Sequence, residues 1–167
     1  DLENLDKWAK IKGIRVLGTG DFTHPEWFRN LKEKLEPAEP GLYKLRSTKY
    51  EETKNEFSDL QTQPYGESLR ATAGFGLQET RFVLTAEISC IYSKGGRVRK
   101  IHIILFAPSF AICEKINAHL GWIGNLKADG RPTLGLDAKE LTKIVLDVSE
   151  DCLVVPAHLM TPWFSLF

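Results

Sequence analysis

Leu2, Leu5, Trp8 and Ala9 recur at helical spacing, and Asp1 stands where an N-cap belongs. This pattern predicts a helix over 2–12, closed by Gly13. Residues 14–18 read as a short buried strand and 19–24 as a loop. Pro25 suits the first turn of a second helix over about 25–35, with Pro37 and Pro40 ending it. A short strand fits residues 42–45. From about 46 to 79 the chain turns polar and charged, then small-residued at Ala71-Thr72-Ala73-Gly74-Phe75-Gly76. That composition predicts a surface insertion with room for one short helix.

β-Branched and aromatic residues then fill 81–92 and 98–107, joined by Ser93-Lys94-Gly95-Gly96. A Gly-Gly pair between two such runs predicts a two-residue hairpin turn. With Gly95 and Gly96 as the turn, Glu87 opposes Ile104 and Ser89 opposes His102. Opposed residues share a face, as do residues two apart along a strand. Glu87 and His102 then become diagonal neighbours, their backbones ~7–8 Å apart. Cys90 falls on the other face, which argues against a Cys90–His102 nucleophile.

Beyond the hairpin, Ser109 can cap a helix reaching about Leu120, with Ile112, Ile116 and Leu120 along one side. A loop with Gly121, Gly124, Gly130 and Gly135 follows. Asp137 and Glu140 open a further helix, whose stripe is Leu141, Ile144, Val145 and Val148. Leu153-Val154-Val155 forms the last strand and feeds Pro156-Ala157-His158. Strands alternating with amphipathic helices predict an α/β layered or barrel fold, with the hairpin as a local antiparallel exception.

The 167 residues fit one domain, and 22 basic against 22 acidic side chains leave no net charge. Nucleic-acid binding would therefore need a local patch. Three widely spaced cysteines without a CxxC pair predict buried free thiols and a reducing, cytoplasmic compartment. No run of 18 apolar residues predicts a membrane span. P-loop, GxGxxG and GxSxG motifs are absent. The chain opens on Asp1 and closes on an apolar 163–167 stretch, which reads as a piece of a longer protein.

Three of the four histidines lie in or just after apolar strands: His24, His102 and His158. Asp21 follows the first strand, and Glu87 sits inside an apolar one. A buried acid is costly unless it is paired or bound to a metal. Each residue has a plainer role: hydrogen-bonded core for a strand histidine, an Arg partner for Glu87, a helix cap for Asp21. His119, on an exposed helix end, reads as surface. Their common position at strand ends nevertheless favours a metal site, and mixed His and carboxylate ligands suit zinc, manganese or iron. Lys94, Arg97, Arg99 and Lys100 surround the hairpin turn and could hold a DNA backbone. Trp122, Trp163 and Phe164 could stack on an extruded base, with core packing the plainer role for at least two.

The chain resembles the PHP (polymerase and histidinol phosphatase) domain family in several separate blocks. These are Gly18-Thr19-Gly20-Asp21-Phe22-Thr23-His24-Pro25, Thr85-Ala86-Glu87-Ile88-Ser89, Lys100-Ile101-His102-Ile103-Ile104-Leu105-Phe106-Ala107, and Val155-Pro156-Ala157-His158 followed by Thr161-Pro162-Trp163-Phe164. Within that family the blocks look most like the endonuclease Q group. The resemblance implies a distorted seven-stranded β/α, TIM-like barrel and divalent metal ions (zinc, manganese or magnesium). It further implies phosphodiester hydrolysis in DNA carrying deaminated bases (uracil, hypoxanthine) or abasic sites. Glu87, His102 and His158 match the family's middle ligands, with Glu87 and His158 expected to be catalytic, and Asp21 or His24 matches its second motif. The family's opening His-x-His and closing Asp-x-His are absent. Residues 1–167 therefore read as the middle of one PHP domain, inactive alone, with an open sheet or strands borrowed from another copy. A monoester phosphatase and a non-catalytic PHP-like binding module are the alternatives.

Overall fold

Each helix begins where a side chain can accept the free N–H groups of a first turn. In the computed structural model, which describes residues 1–46, 79–128 and 130–165, Asp1 caps helix α1 (Leu2–Lys12) through the Asn4 N–H at 2.9 Å. Gly13 closes it with φ at 68°, a conformation that favours glycine. Helix α2 (Pro25–Lys34) starts at His24, whose imidazole faces the Trp27 N–H at 3.5 Å. His24, not Asp21, is therefore the cap. Ser109 caps α3 (Phe110–Ile123), and Asp137 caps α4 (Ala138–Val148). Most of the 46–79 insertion lies outside the described residues.

Seven strands form one mixed sheet: β1 (Val16–Gly18), β2 (Leu35–Pro37), β3 (Tyr43–Leu45), β4 (Arg81–Lys94), β5 (Arg97–Ala107), β6 (Thr133–Leu134) and β7 (Leu153–Pro156). The path β2-β3-β4-β5-β7 is antiparallel throughout, while β1 and β6 pair with β4 in parallel. The fold is thus mixed α/β, as expected. The expected TIM-like barrel is not formed among the described residues, because β2 and β7 end the path without meeting. A two-residue hairpin dictates an antiparallel pair, and β7 extends that pattern by lying antiparallel to β5.

Three local expectations are corrected. The second helix stops at Lys34, and Leu35–Pro37 form a strand against Tyr43–Leu45. The glycine-rich loop contains β6, which latches onto Ser89 and Cys90. Val16 in β1 is 51% exposed, so that strand is an edge and not a buried core element.

β4 has two chemically different faces. Leu84, Ala86, Ile88 and Cys90, with Ile101, Ile103, Leu105 and Ala107 of β5, are buried. Cys113, Ile116 and Leu120 of α3 and Leu141 and Val145 of α4 belong to the same core. The other face carries Thr85, Glu87, Ser89 and His102. At its start Thr85 pins the loop after β1. Its Oγ1 accepts the Gly20 N–H at 2.8 Å, its N–H donates to Thr19 Oγ1 at 3.1 Å, and its carbonyl accepts the Phe22 N–H. Trp27 Nε1 donates to the Gly20 carbonyl at 2.9 Å and closes the clamp.

Two outcomes follow from this packing. Thr85→Val leaves the Gly20 N–H without its acceptor and should cost about 1–3 kcal/mol. A lower midpoint in urea unfolding at unchanged slope would show it, and an unchanged midpoint would refute it. Cys90, Cys113 and Cys152 are buried and free. Burial pushes the Cys90 thiol up to about 12 and raises the other two. A soluble disulfide reagent should leave all three unmodified in folded protein at pH 8 and reach all three after denaturation. Rapid labelling of any one in the native state would contradict their burial.

Candidate metal centre

The turn consists of Gly95 and Gly96 alone, with φ at 60° and 72° and Lys94 paired to Arg97 across it. Both values lie in the left-handed region that a type I′ turn demands. The resulting register pairs Glu87 with Ile104 and Ser89 with His102. Glu87 and His102 consequently share the face opposite the helices, while Cys90 opposes Ile101 in the core.

β7 brings the third residue. The Ala157 N–H donates to the His102 carbonyl at 2.9 Å, and the next residue is His158. His158 has φ at 55°, an uncommon conformation for a residue with a side chain. Thr161 holds that turn, its N–H and its hydroxyl lying 3.1 and 3.0 Å from the His158 carbonyl. The chain then doubles back, so that the His102 N–H meets the Phe164 carbonyl at 3.1 Å. The Phe164 ring stands 4.3 Å from the imidazole of His102.

Glu87 Oε1 lies 3.0 Å from His102 Nδ1 and 3.4 Å from His158 Nε2. One ligand atom from each of the three residues falls within 4.8 Å of the others. The approach of Glu87 to His102 is off line for a hydrogen bond. Both Glu87 Oε1 and His102 Nδ1 are buried and without a hydrogen-bond partner. Two orphaned polar atoms cost about 1–3 kcal/mol each. A cation between them would satisfy both, so the donor set fits a divalent metal ion.

Burial holds the His102 imidazole below its ordinary pKa. Glu87 pulls in the opposite direction, and Arg131 and His158 add to the lowering. The neutral ring that results is the form that binds metals.

Asp21 and His24 are not part of this cluster. His24 is engaged as the cap of α2, and the Asp21 carbonyl accepts the His24 N–H at 2.9 Å. The convergence of Glu87, His102 and His158 comes from one face of antiparallel strands. It does not arise from the ends of parallel ones, the geometry that strand alternation suggested.

The basic hairpin tip divides between the faces as well. Lys100 opposes Ile91 on the Glu87 face, its ammonium 5.9 Å from the Phe164 ring. Arg97 and Arg99 stand on the other face, with Lys94 held by Asp137 at 2.7 Å. Trp122 and Trp163 are 92% and 72% exposed, so core packing does not account for them. His119 is exposed, as expected.

Arg131 is the residue that sequence reasoning passed over. Its Nε lies 3.1 Å from Glu87 Oε2. The available signal was general: a strand Glu in an apolar run often has an Arg partner, but nothing pointed to position 131. Ser89, His102, Arg131, His158, Trp163 and Phe164 line part of a pocket of about 540 Å³, a volume typical of ligand sites.

Fold and cluster together define an α/β protein with a candidate divalent-metal site on the uncovered face of an antiparallel hairpin. No family model matches the chain. Among solved structures it is similar to the lesion-specific endonuclease PfuEndoQ from Pyrococcus furiosus. Identity is 24% and the TM-score 0.63, over 96% of this chain and 30% of that one. It is also similar to an endonuclease Q in complex with a 27-mer duplex bearing an abasic lesion at the active site. There the TM-score is 0.66 at 24% identity, over 97% of this chain and 31% of that one. An uncharacterized protein of Methanocaldococcus jannaschii is 24% identical over 149 residues, which are 89% of this chain and 13% of that protein. The chain therefore spans less than a third of the length of each of these proteins, and it shares the endonuclease Q fold over that span.

Glu87→Gln keeps the shape of the side chain and removes its charge. It should weaken Zn²⁺ or Mn²⁺ binding at least about tenfold in calorimetric titration. Unchanged affinity would mean that the three side chains do not form a metal site.

Proposed function

We propose that this chain forms part of a metal-dependent phosphodiesterase acting on lesion-containing DNA, in the manner of endonuclease Q. The orphaned pair Glu87 Oε1 and His102 Nδ1, joined by His158, carries the reading. Likeness in fold to endonuclease Q, one structure of which holds duplex DNA with an abasic lesion, supports DNA strand cleavage as the chemistry. Glu87, His102 and His158 would hold the cation, and the family resemblance would make Asp21 or His24 a further ligand, although here His24 caps α2. A bound divalent cation acidifies water and stabilises the charge that develops on phosphate oxygens. Glu87 would orient the site through its carboxylate, and ring nitrogens of His102 and His158 would contribute lone pairs. Buried His102, covered by Phe164, keeps bulk water off that side of the centre.

Lys100, on the face of the cluster, is the tip residue best placed to hold the phosphate backbone, while Arg97 and Arg99 would reach DNA that wraps the hairpin end. Lys94 would first have to leave Asp137. A partial PHP barrel, completed by segments outside 1–167, accounts for the open sheet and for the exposed Val16 edge.

In the full-length protein, Glu87→Ala and His158→Ala should each slow single-turnover cleavage of uracil-, hypoxanthine- or abasic-site DNA at least about a hundredfold. Near wild-type cleavage by both variants would sink the assignment. Hydrolysis of small phosphate monoesters, with lesion DNA left intact, would transfer it to the phosphatase reading.

A further inference from the structure

The carboxylate of Glu87 is divided between two neighbours. Oε1 faces the imidazoles, and Oε2 faces Arg131 Nε. An arginine carries five N–H donors in a rigid fork, and the Nε–H accounts for one of them. Among the described residues Glu87 is the ion-pair partner of Arg131. The side chain is still 49% exposed and lines the same pocket as His102 and His158.

Arg131 is not a wandering surface arginine. The residue after it, Pro132, accepts the Ser89 N–H at 3.0 Å through its carbonyl, and Thr133 pairs with Ser89 in β6. Its backbone is thereby latched to β4 two residues from Glu87. Within the Glu87–Arg131 pair the two charges cancel. A divalent cation beside Glu87 then leaves the pocket with surplus positive charge, which an anion has to balance. Among the described residues no other ion pair takes the terminal N–H groups of Arg131, and such a guanidinium matches the two non-bridging oxygens of a phosphate better than any other side chain.

We infer that Arg131 is the phosphate-binding residue of this pocket, holding a phosphodiester oxygen while its Nε keeps Glu87 in place. This rests on the phosphodiesterase reading above and adds the substrate contact to it. A purely structural arginine, present only to neutralise Glu87, is the competing account.

Four proteins separate the two: wild type, Arg131→Gln, Arg131→Lys, and Lys143→Gln on the exposed side of α4 as a remote control, each checked for unchanged circular dichroism. Zn²⁺ is titrated by calorimetry, and dimethyl phosphate by phosphorus NMR with and without Zn²⁺. Arg131→Gln should keep Zn²⁺ affinity within about threefold and lose at least about tenfold in dimethyl phosphate affinity, roughly one bidentate charge-assisted contact. Arg131→Lys should fall between, and Lys143→Gln should match wild type. Equal phosphate binding by wild type and Arg131→Gln would overturn the proposal. So would a loss of Zn²⁺ affinity in Arg131→Gln as large as its loss of phosphate affinity, since Arg131 would then only support Glu87. Wild-type protein that binds phosphate through Arg131 but no Zn²⁺ would uphold this role and overturn the metal reading instead.

Discussion

A two-residue turn sets the parity of the hairpin β4–β5, the longest among the described residues, and the candidate site depends on that parity. Gly95 and Gly96 both adopt positive φ, which lets the strands fold back without splaying. One more residue in the turn would move every side chain of one strand to the other face. Glu87 would then face solvent while His102 entered the core, or the reverse. With the turn as it stands, eleven cross-strand pairs run from Leu84–Ala107 to Lys94–Arg97 in one register.

That register also separates packing from chemistry. One face of β4 and β5 is aliphatic and lies under α3 and α4, where burial of each large apolar side chain contributes about 1.5–3 kcal/mol. The opposite face carries the buried, unpaired atoms of Glu87 and His102. Their cost is small beside what the aliphatic face supplies, so the fold can sustain it without the ligand. Among the described residues, those with positive φ and a side chain are Asp21, His158 and Phe164, in the loops that border this face. Such conformations persist where the surrounding structure over-determines them, and they concentrate at sites with a function.

The loops reach the site by different devices. Thr85 clamps the loop after β1 by reciprocal hydrogen bonds, and β6 latches Arg131 beside Glu87. His102 accepts the Ala157 N–H through its carbonyl and donates its own N–H to the Phe164 carbonyl, which brings the Phe164 ring against its imidazole. β4 is the common support of all these attachments.

Local chemistry was legible in the sequence because it needs few residues. Asp1, Ser109 and Asp137 cap helices, Gly13 ends one, and Gly95-Gly96 turn the hairpin, each acting within four positions of itself. The shared face of Glu87 and His102 followed from that turn alone, since strand alternation carries parity along the chain. What tertiary structure decided were the contacts between distant segments. Leu35–Pro37 became a strand because Tyr43–Leu45 offered it an edge, where the sequence had signalled only the end of a helix. Thr133–Leu134 became one because β4 had an unpaired side, and no two-residue pattern can announce a partner more than forty positions away. His24 took the cap position that left it outside the cluster, while His158 reached Glu87 only through the pairing of β7 with β5. Arg131 found Glu87 in the same way. Its role depends on a parallel latch between segments that carry no mutual signal in sequence.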